Sequence, residues 1–514
     1  MPTRLRNSAN YLELFLVGHP VLTLAIFTIL YVPYVCARAL LKPLWFDELA
    51  TLLVARMDSV SQIMAALGSG VDAHPPISYV LIHWSIALPF NELISARVPS
   101  MFGFWLMCVA IYLFAARRRA RIWALLALIF PFLTGLFFYA TEARPYGLVL
   151  GFSALALLAW QCAPGSPYRG LWLIVLFLSL AAAICTHYYA VLVPICLFCG
   201  EAARVWRKKA IGWEWLAIGA PYAVLIGLRP IIAAQTSRLG VHWAQPSYES
   251  VLEFYNSALD PAVLPLVTAV LAVAIYEFMR GDLESQPNES LPFEELVAVF
   301  AFAAIPIIAY IVAVLYTHSY TGRYSIAGLV GMSLVFWWVA QRFLRGALEP
   351  ALVAVLVLCA IAGIDELRTL RRAHRTNFAR LLNDSFPFPF DGDLPIVVQD
   401  GRDYLKMVHY APPELARRIY YLADAEQSMR LEGSLGVDVA LIDLKKWVPL
   451  QVEDYRSFIV QHNRFLLFWG KSEEFSLIGW QMTKMIEDGA KLDLVRQHGS
   501  RLLFGVDLAG KRIP

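Results

Sequence analysis

Charge is scarce in this chain of 514 residues: Asp, Glu, Lys and Arg together make up 16%, against 59% hydrophobic residues. Soluble globular domains run near 25% charged, so a wholly soluble fold is excluded. Cysteine offers no chemistry either. All seven cysteines (Cys36, Cys108, Cys162, Cys185, Cys196, Cys199 and Cys359) lie in apolar segments, so even the Cys196-x-x-Cys199 pair reads as small hydrophobes in a helix. None lies beyond Cys359, so no disulfide framework holds the C-terminal region. Phosphate-cradling loops are missing: there is no P-loop, and Gly68-Ser-Gly70 lacks the later glycine of a dinucleotide fingerprint. No His-x-x-x-His or Cys cluster makes a closed zinc site. No repeat of 20 to 50 residues is visible, which argues against transporter folds built from paired halves. The formal charge of +3 says nothing about nucleic acid, and no nucleic-acid partner is expected: the basic residues sit in short clusters between apolar runs, the way membrane topology is written.

What the chain does have is long apolar runs. A bilayer-spanning helix needs about 20 mostly apolar residues, and such runs recur from about residue 15 to residue 363. Spans are expected near 14–38, 94–116, 120–141, 144–163, 170–186, 188–205, 211–231, 260–280, 294–316, 322–343 and 348–364. The expected fold is therefore mainly α: a polytopic bundle of about eleven transmembrane helices over 1–364, then a small α/β soluble domain over 365–514. Arg4 and Arg6 precede a run of spanning length without a small-residue cleavage site, so the first helix is expected to stay as an anchor. Residues 75–90 are apolar but short. Treating them as an interfacial helix puts Arg117-Arg118-Arg119, Arg121, Arg204, Arg207-Lys208-Lys209, Arg342 and Arg345 on one side, which the positive-inside rule assigns to the cytoplasm. The N-terminus is then cytoplasmic. The loops 39–93, 141–144, 186–188, 231–259 and 316–322, and everything after 365, are extracytoplasmic, as in a bacterial inner-membrane protein.

The C-terminal region has a different texture. Leu394–Val398, Val437–Ile442, Arg464–Phe468 and Arg501–Gly505 read as strands, while 403–409, 414–421 and 480–490 read as helical. Strands alternating with helices predict a layered α/β domain.

Polar residues become dense in the outer loops. Asp47 and Glu48, two adjacent carboxylates beside Trp45 and Phe46, lie directly after the first span, where desolvation raises a carboxylate towards the range of a base; the plain alternative is a solvated helix start. His74 before Pro75-Pro76 is either a donor to an anion or hydroxyl, or a structural residue. Arg97 near the end of a span either snorkels or clamps a phosphate. Glu142-Ala-Arg144-Pro145-Tyr146 holds an acid, a base and an aromatic on a turn, either lining a cleft or forming an interfacial belt with an anchoring arginine. His187-Tyr188-Tyr189 and His318 with Arg323-Tyr324 complete the set. Five of the ten histidines (His74, His83, His187, His242 and His318) fall at outer positions ahead of the C-terminal region, which points to a polar site opening on that face.

Taken together, Trp45-Phe-Asp47-Glu48, His74-Pro-Pro, Arg97-Val-Pro-Ser, Glu142-Ala-Arg144-Pro-Tyr, His187-Tyr-Tyr and Gly322-Arg323-Tyr324 resemble the GT-C superfamily of membrane glycosyltransferases. The likeness is to the group containing the dolichyl-phosphate-mannose protein mannosyltransferases and the aminoarabinose lipid A transferases, and covers about residues 40 to 330. It implies a polyprenyl-phosphate sugar as donor and an acceptor hydroxyl on lipid, glycan or protein, reached from the extracytoplasmic side. It places Asp47 as base, or as partner of a metal or of the acceptor, with Glu48 beside it. Arg97 is implied near the donor phosphate, Glu142 and Arg144 along the sugar, and His187, Tyr188, Arg323 and Tyr324 with His74 around the donor. No cofactor is implied with certainty; a divalent cation is compatible with the chemistry, and its ligands are unknown. The tail does not match the soluble modules of well-known members. Two other readings compete: a transporter or flippase for a lipid-linked saccharide, and a catalytically inactive scaffold. A transporter should bury charge near the bilayer midplane, whereas here it crowds the outer ends.

Overall fold

The computed structural model describes residues 2–236, 244–280, 291–344, 346–375, 388–390, 392–432, 436–470 and 479–508. The chain forms two compact units: Met1–Leu40, His74–Arg229 and Ala244–Arg375 make the first, and Leu41–Ala73, Pro230–Trp243 and Thr376–Pro514 the second.

The first unit is a bundle of apolar helices. In lipid a backbone has no solvent to bond, so each long apolar run closes its own hydrogen bonds as a helix. Pro20–Leu40, Val98–Ala116, Tyr188–Lys208, Glu214–Gln235, Tyr248–Met279 and Leu348–Arg375 are long and apolar enough to cross a membrane. Two further expected spans are bent pairs, Arg121–Leu133 with Gly135–Thr141 at 81° and Phe293–Ala303 with Ile305–Thr317 at 57°. The remaining three are shorter helices, Tyr146–Cys162, Arg169–Ile184 and Gly328–Phe343. Each of the eleven expected runs thus has a helical counterpart, and the chain is a multi-pass membrane protein. Its outward positions are apolar, as lipid requires: Ile174 and Leu178 on Arg169–Ile184, and Leu264, Leu271 and Ile275 on the long helix, where Phe278 is 91% exposed. Ile77–Ser85, in the short apolar segment, has 9 residues, about 14 Å of helix, too little to cross a core of about 30 Å.

One expectation is corrected. Residues 231–259 do not form a plain loop: helix Val224–Thr236 runs into the segment, and the helix expected from 260 begins at Tyr248 and continues unbroken through Pro261 and Pro265 to Arg280. Lipid-embedded helices tolerate proline because neighbouring groups re-satisfy the freed carbonyls.

A glycine seam joins Val98–Ala116 to Tyr146–Cys162. A Cβ on Gly103 would lie 2.6 Å from the Cα of Leu148, and one on Gly151 2.9 Å from the Cα of Gly103. The backbones touch because these positions carry no side chain, the small-residue mode of helix packing in membranes.

Several charges in this unit pair at one end of the bundle, while Arg38 meets Asp365 at 3.4 Å at the other. Arg118 forks onto Glu295, with Nε donating to Oε2 at 2.9 Å, and Gln161 donates to the same Glu295 oxygen at 3.2 Å. Arg207 meets Glu294 at 3.0 Å and Arg169 meets Glu214 at 2.8 Å. Buried Glu201 accepts from Trp160 Nε1 at 2.8 Å and from Arg204 at 2.5 Å. Arg118, Arg204 and Arg207 come from the basic clusters that the sequence places together on one side; Arg169 was not counted with them.

The second unit is built on a mixed six-stranded sheet. Its strands are β1 (Ile396–Val398), β2 (Ile419–Ala423), β3 (Val452–Asp454), β4 (Arg464–Gly470), β5 (Lys491–His498) and β6 (Arg501–Asp507), in the order β3-β2-β1-β4-β6-β5. β3, β2, β1 and β4 run parallel, and β6 and β5 close the sheet antiparallel. Val397, Leu422, Phe465, Leu467 and Val506 pack in its core. The edge strand β5 carries Lys491, Asp493, Arg496 and His498, charges that discourage pairing with another chain. The strand expected over Val437–Ile442 is instead the helix Gly436–Lys445. Its buried positions Asp438, Leu441 and Leu444 recur at a spacing of three, a helical period that outweighs the β-branched valines. Likewise 414–421 divides into a short helix, Pro413–Ala416, and the strand β2. The strands β3 and β5 were not expected at all.

Candidate functional site

At the end of the first unit's bundle remote from the Arg118–Glu295 pair, the chain reversals bring together residues far apart in sequence. Helix Val98–Ala116 has Arg97 at its start and the arginines 117–119 after its end, about 28 Å of helix apart. Tyr146–Cys162 starts beside Arg144 and ends at the Gln161 that joins the ion pairs; helix Leu192–Lys208 starts just after His187 and ends at Arg207. Polar residues that look alike in the sequence are thus sorted to opposite ends of the same helices.

Arg144 lies in the turn before helix Tyr146–Cys162, and the Ser100 hydroxyl fixes that turn by donating to its carbonyl at 2.7 Å. Its Nη2 stands 3.3 Å from Nδ1 of His74. The rings of His74 and His187 are 5.3 Å apart, and Tyr146 lies 6.4 Å from His74 and 5.7 Å from His187. Tyr324 is 5.2 Å from His187, and Tyr189 is 5.1 Å from Tyr324. Tyr189 in turn bonds the hydroxyl of Thr317 at 2.7 Å and donates to the carbonyl of Ser319, tying the start of its own helix to the segment that carries Arg323.

The chemistry of His187 follows from its surroundings. The residue caps the turn Tyr188–Val191, and its Nδ1 accepts the Tyr189 backbone N–H at 3.2 Å. Nδ1 is therefore the acceptor, and Nε2 carries the proton and is left as donor. Burial, then the positive charges of His74, Arg144 and Arg323, push its pKa well below the ordinary histidine value. His187 is consequently a neutral hydrogen-bond donor inside a field set by cations.

Of the sequence candidates, His74, Arg144, His187, Arg323 and Tyr324 come together here. Tyr146, Tyr189 and Ser100 belong with them; each lies in one of the motifs quoted from the sequence, which gave it no role of its own, and packing shows its part. Glu142, 1% exposed, sits in the extended residue before Ala143-Arg144. Arg97 is fully buried at the head of its helix, and its Nη1 donates to the Ala39 carbonyl at 2.6 Å, capping the end of Pro20–Leu40. Tyr188 is half-buried beside His187, His83 half-buried on its short helix, and His318 exposed with a left-handed φ of 51°. His242 and Arg345 lie outside the described residues.

Asp47 and Glu48 belong to the second unit. They form the first turn of helix Phe46–Ala55, where they favour the positive helix end. Glu48 is buried and accepts the Trp45 backbone N–H at 3.3 Å, while Asp47 is half-buried. The loop holding them is docked within its own unit: Leu44 donates its N–H to the Tyr410 hydroxyl at 2.8 Å, and Trp447 Nε1 donates to Ser69 Oγ at 3.0 Å. Among the described residues no three His, Cys, Asp or Glu side chains gather as a set of metal ligands.

A bundle of this kind, with long and bent spans, residues from distant segments meeting at one polar end, and a small sheet unit after it in the chain, defines a class: the chain has the GT-C fold expected from the sequence. Two crystal structures of ArnT from Cupriavidus metallidurans carry the comparison. The apo form is 12% identical, with a TM-score of 0.56 over 95% of this chain and 98% of that one. The form bound to undecaprenyl phosphate is 14% identical, with a TM-score of 0.53 over 96% and 99%. No protein-family model matches the sequence, and no curated protein matches it significantly.

Proposed function

We propose that this protein is a membrane glycosyltransferase that moves a sugar from a polyprenyl-phosphate-linked donor to an acceptor hydroxyl on the extracytoplasmic face, with inversion. The observation that carries the reading is the buried convergence of His74, Arg144 and His187, with Tyr146 and Tyr324, at one end of a membrane bundle. It gains support from a fold shared with ArnT, one of whose structures holds undecaprenyl phosphate. The phosphate needs positive charge and preorganised donors, and Arg144, Arg323 and the Nε2–H of His187 supply them without reorganisation.

In the proposed step the acceptor oxygen attacks the anomeric carbon and its proton passes to a carboxylate. The bond from that carbon to the phosphate oxygen breaks, and its electron pair leaves with the lipid phosphate. One displacement inverts the centre, and phosphate departs without a general acid. Asp47 is the proposed base, with Glu48 supporting its turn and Glu142 along the sugar; a divalent cation bound with the donor would assist by neutralising phosphate. The N-terminus is proposed to be cytoplasmic and the sheet unit extracytoplasmic.

The test uses the purified full chain, a polyprenyl-phosphate sugar and a panel of acceptors, with released polyprenyl phosphate as readout. Asp47→Asn should lower turnover by about 100-fold or more, the usual worth of a general base. Unchanged turnover removes Asp47 from that role. Failure of Arg144→Gln to weaken undecaprenyl phosphate binding removes the site.

A further inference from the structure

A groove of about 760 Å³ opens on the first unit between the turn segment Gly135–Thr141 and the helix Tyr248–Arg280. Phe138 and Tyr139 line one wall; Glu249, Glu253, Asn256 and Asp260 line the other. Their spacing of four, three and four residues puts all four polar groups on one helix face. Gly135 holds the walls together, since a Cβ there would lie 2.6 Å from the carbonyl oxygen of Ser257. Asp260 stands 12 residues into the helix, about 18 Å from its start, at the far end of this polar row. Glu249, Glu253, Asn256 and Asp260 are all exposed, so this wall of the groove is wet and negatively charged.

A second observation ties the groove to the site. Tyr139 lines the groove and meets Tyr146 edge to face at 4.8 Å, and the Tyr146 ring lies 6.4 Å from His74 and 5.7 Å from His187. Tyr146 is only 1% exposed, yet its hydroxyl meets no hydrogen-bond partner among the described residues. An orphaned hydroxyl costs free energy unless something bonds it, and this one belongs to the ring between Tyr139 of the groove and the two histidines.

We propose that the groove receives the acceptor, and that the accepting moiety is a phosphate-free, hydroxyl-rich glycan, neutral or amino-bearing; this rests on the glycosyltransferase reading. Carboxylates accept paired sugar hydroxyls in charge-assisted hydrogen bonds, and aromatic faces carry the apolar C–H side of a sugar ring. The same carboxylates repel a phosphorylated or carboxylated acceptor, which is how an interface selects by rejection. Phosphate is thereby sorted to the arginines and the glycan to the acids, on either side of Tyr146.

The experiment places the full chain in lipid nanodiscs. Three fluorescently labelled probes are titrated: chitotriose, its de-acetylated amino form and a phosphorylated trimannose, with undecaprenyl phosphate binding measured on the same discs. The neutral or the amino trisaccharide should bind at least about tenfold more tightly than the phosphorylated one. Glu253→Gln with Asp260→Asn should weaken that binding by about tenfold or more, the worth of a hydrogen bond to a charged group. Undecaprenyl phosphate affinity should shift far less. The proposal is overturned by preference for the phosphorylated probe, by absence of binding to both other probes, or by groove variants that bind glycan as the parent does. Variants that instead weaken undecaprenyl phosphate assign the groove to the carrier and also overturn it. If the parent fails to bind undecaprenyl phosphate, it is the glycosyltransferase reading that falls, and the glycan titration still reports on the groove.

Discussion

Replacing Gly147 by alanine tests whether the glycine seam sets the geometry of the site. Gly147 follows Arg144 by three residues, and a Cβ on it would lie 2.8 Å from the Cα of Ser100, which in turn holds the Arg144 carbonyl. Ordinary contact begins at 3.4 Å, so the helices must part by at least 0.6 Å. Overpacking of this kind costs about 1–3 kcal/mol, and a misplacement approaching 1 Å at a reacting centre costs about 100-fold in rate. Gly147→Ala should therefore lower the thermal midpoint in detergent, followed by a thiol-reactive dye that reports exposure of the buried Cys108 and Cys162. It should also cut donor-dependent release of polyprenyl phosphate by roughly ten- to a hundredfold. Gly227→Ala is the control: nothing lies within 4 Å of its Cβ, and helical alanine should be neutral or stabilising by about 0.5–1 kcal/mol. A Gly147→Ala protein with the parent's midpoint and turnover would refute the seam as the element that positions Arg144.

At the opposite end, Arg118→Met strands the buried Glu295; with Arg118 37% exposed, the loss is discounted from the fully buried case to about 2 kcal/mol, read as a lower thermal midpoint. Adding Glu295→Gln should restore much of it, and no recovery would show that the pair is not coupled. His187 has a depressed pKa, so as pH falls through about 6.5 the unfolded chain takes up a proton that the folded chain refuses. Stability should be full above that pH and decline below it, and His187→Gln should flatten the decline; parallel curves for parent and variant would contradict the assignment. In the sheet unit the Tyr421 phenol donates to buried Asp438, and burial with that carboxylate pushes its pKa up, so it stays a donor at working pH. Tyr421→Phe should cost about 1–3 kcal/mol in urea unfolding of the full chain, and a cost near zero would mean that the carboxylate finds another donor.

The spans were legible because a run of 20 apolar residues has one stable form in lipid. The groove was not, for the same reason turned round: Glu249, Glu253 and Asn256 interrupt the hydropathy, and Pro261 and Pro265 signal a break, so the helix was expected to begin only near 260. The spacing of the acids was the available signal, and it speaks only once the segment is known to be helical. In the site, His74 and His187 are 113 positions apart, and their common side could be read from topology while their contact could not. Arg97 shows the limit of residue type. A guanidinium at a span's end suits phosphate and a helix C-terminus equally, and only the 2.6 Å bond to Ala39 shows that one of its nitrogens serves the backbone.

The unlike ends of the bundle explain how it can hold a site at all. At the basic end Glu201, Glu214, Glu294 and Glu295 each meet an arginine, so burial there is compensated pair by pair. At the other end the Arg144 guanidinium lies 3.3 Å from the His74 ring, with His187 beside them. Beyond burial, each of the charges acting on it, from His74, Arg144 and Arg323, opposes its protonation. The imidazole is kept neutral first by burial, and the guanidiniums near it offer an anion charge-assisted donors. An anion that arrives there lowers the cost the cations impose on the fold. Binding of a lipid phosphate and stability of this end of the bundle are then one equilibrium, so the carrier that the site is proposed to recognise should also be the ligand that stiffens it.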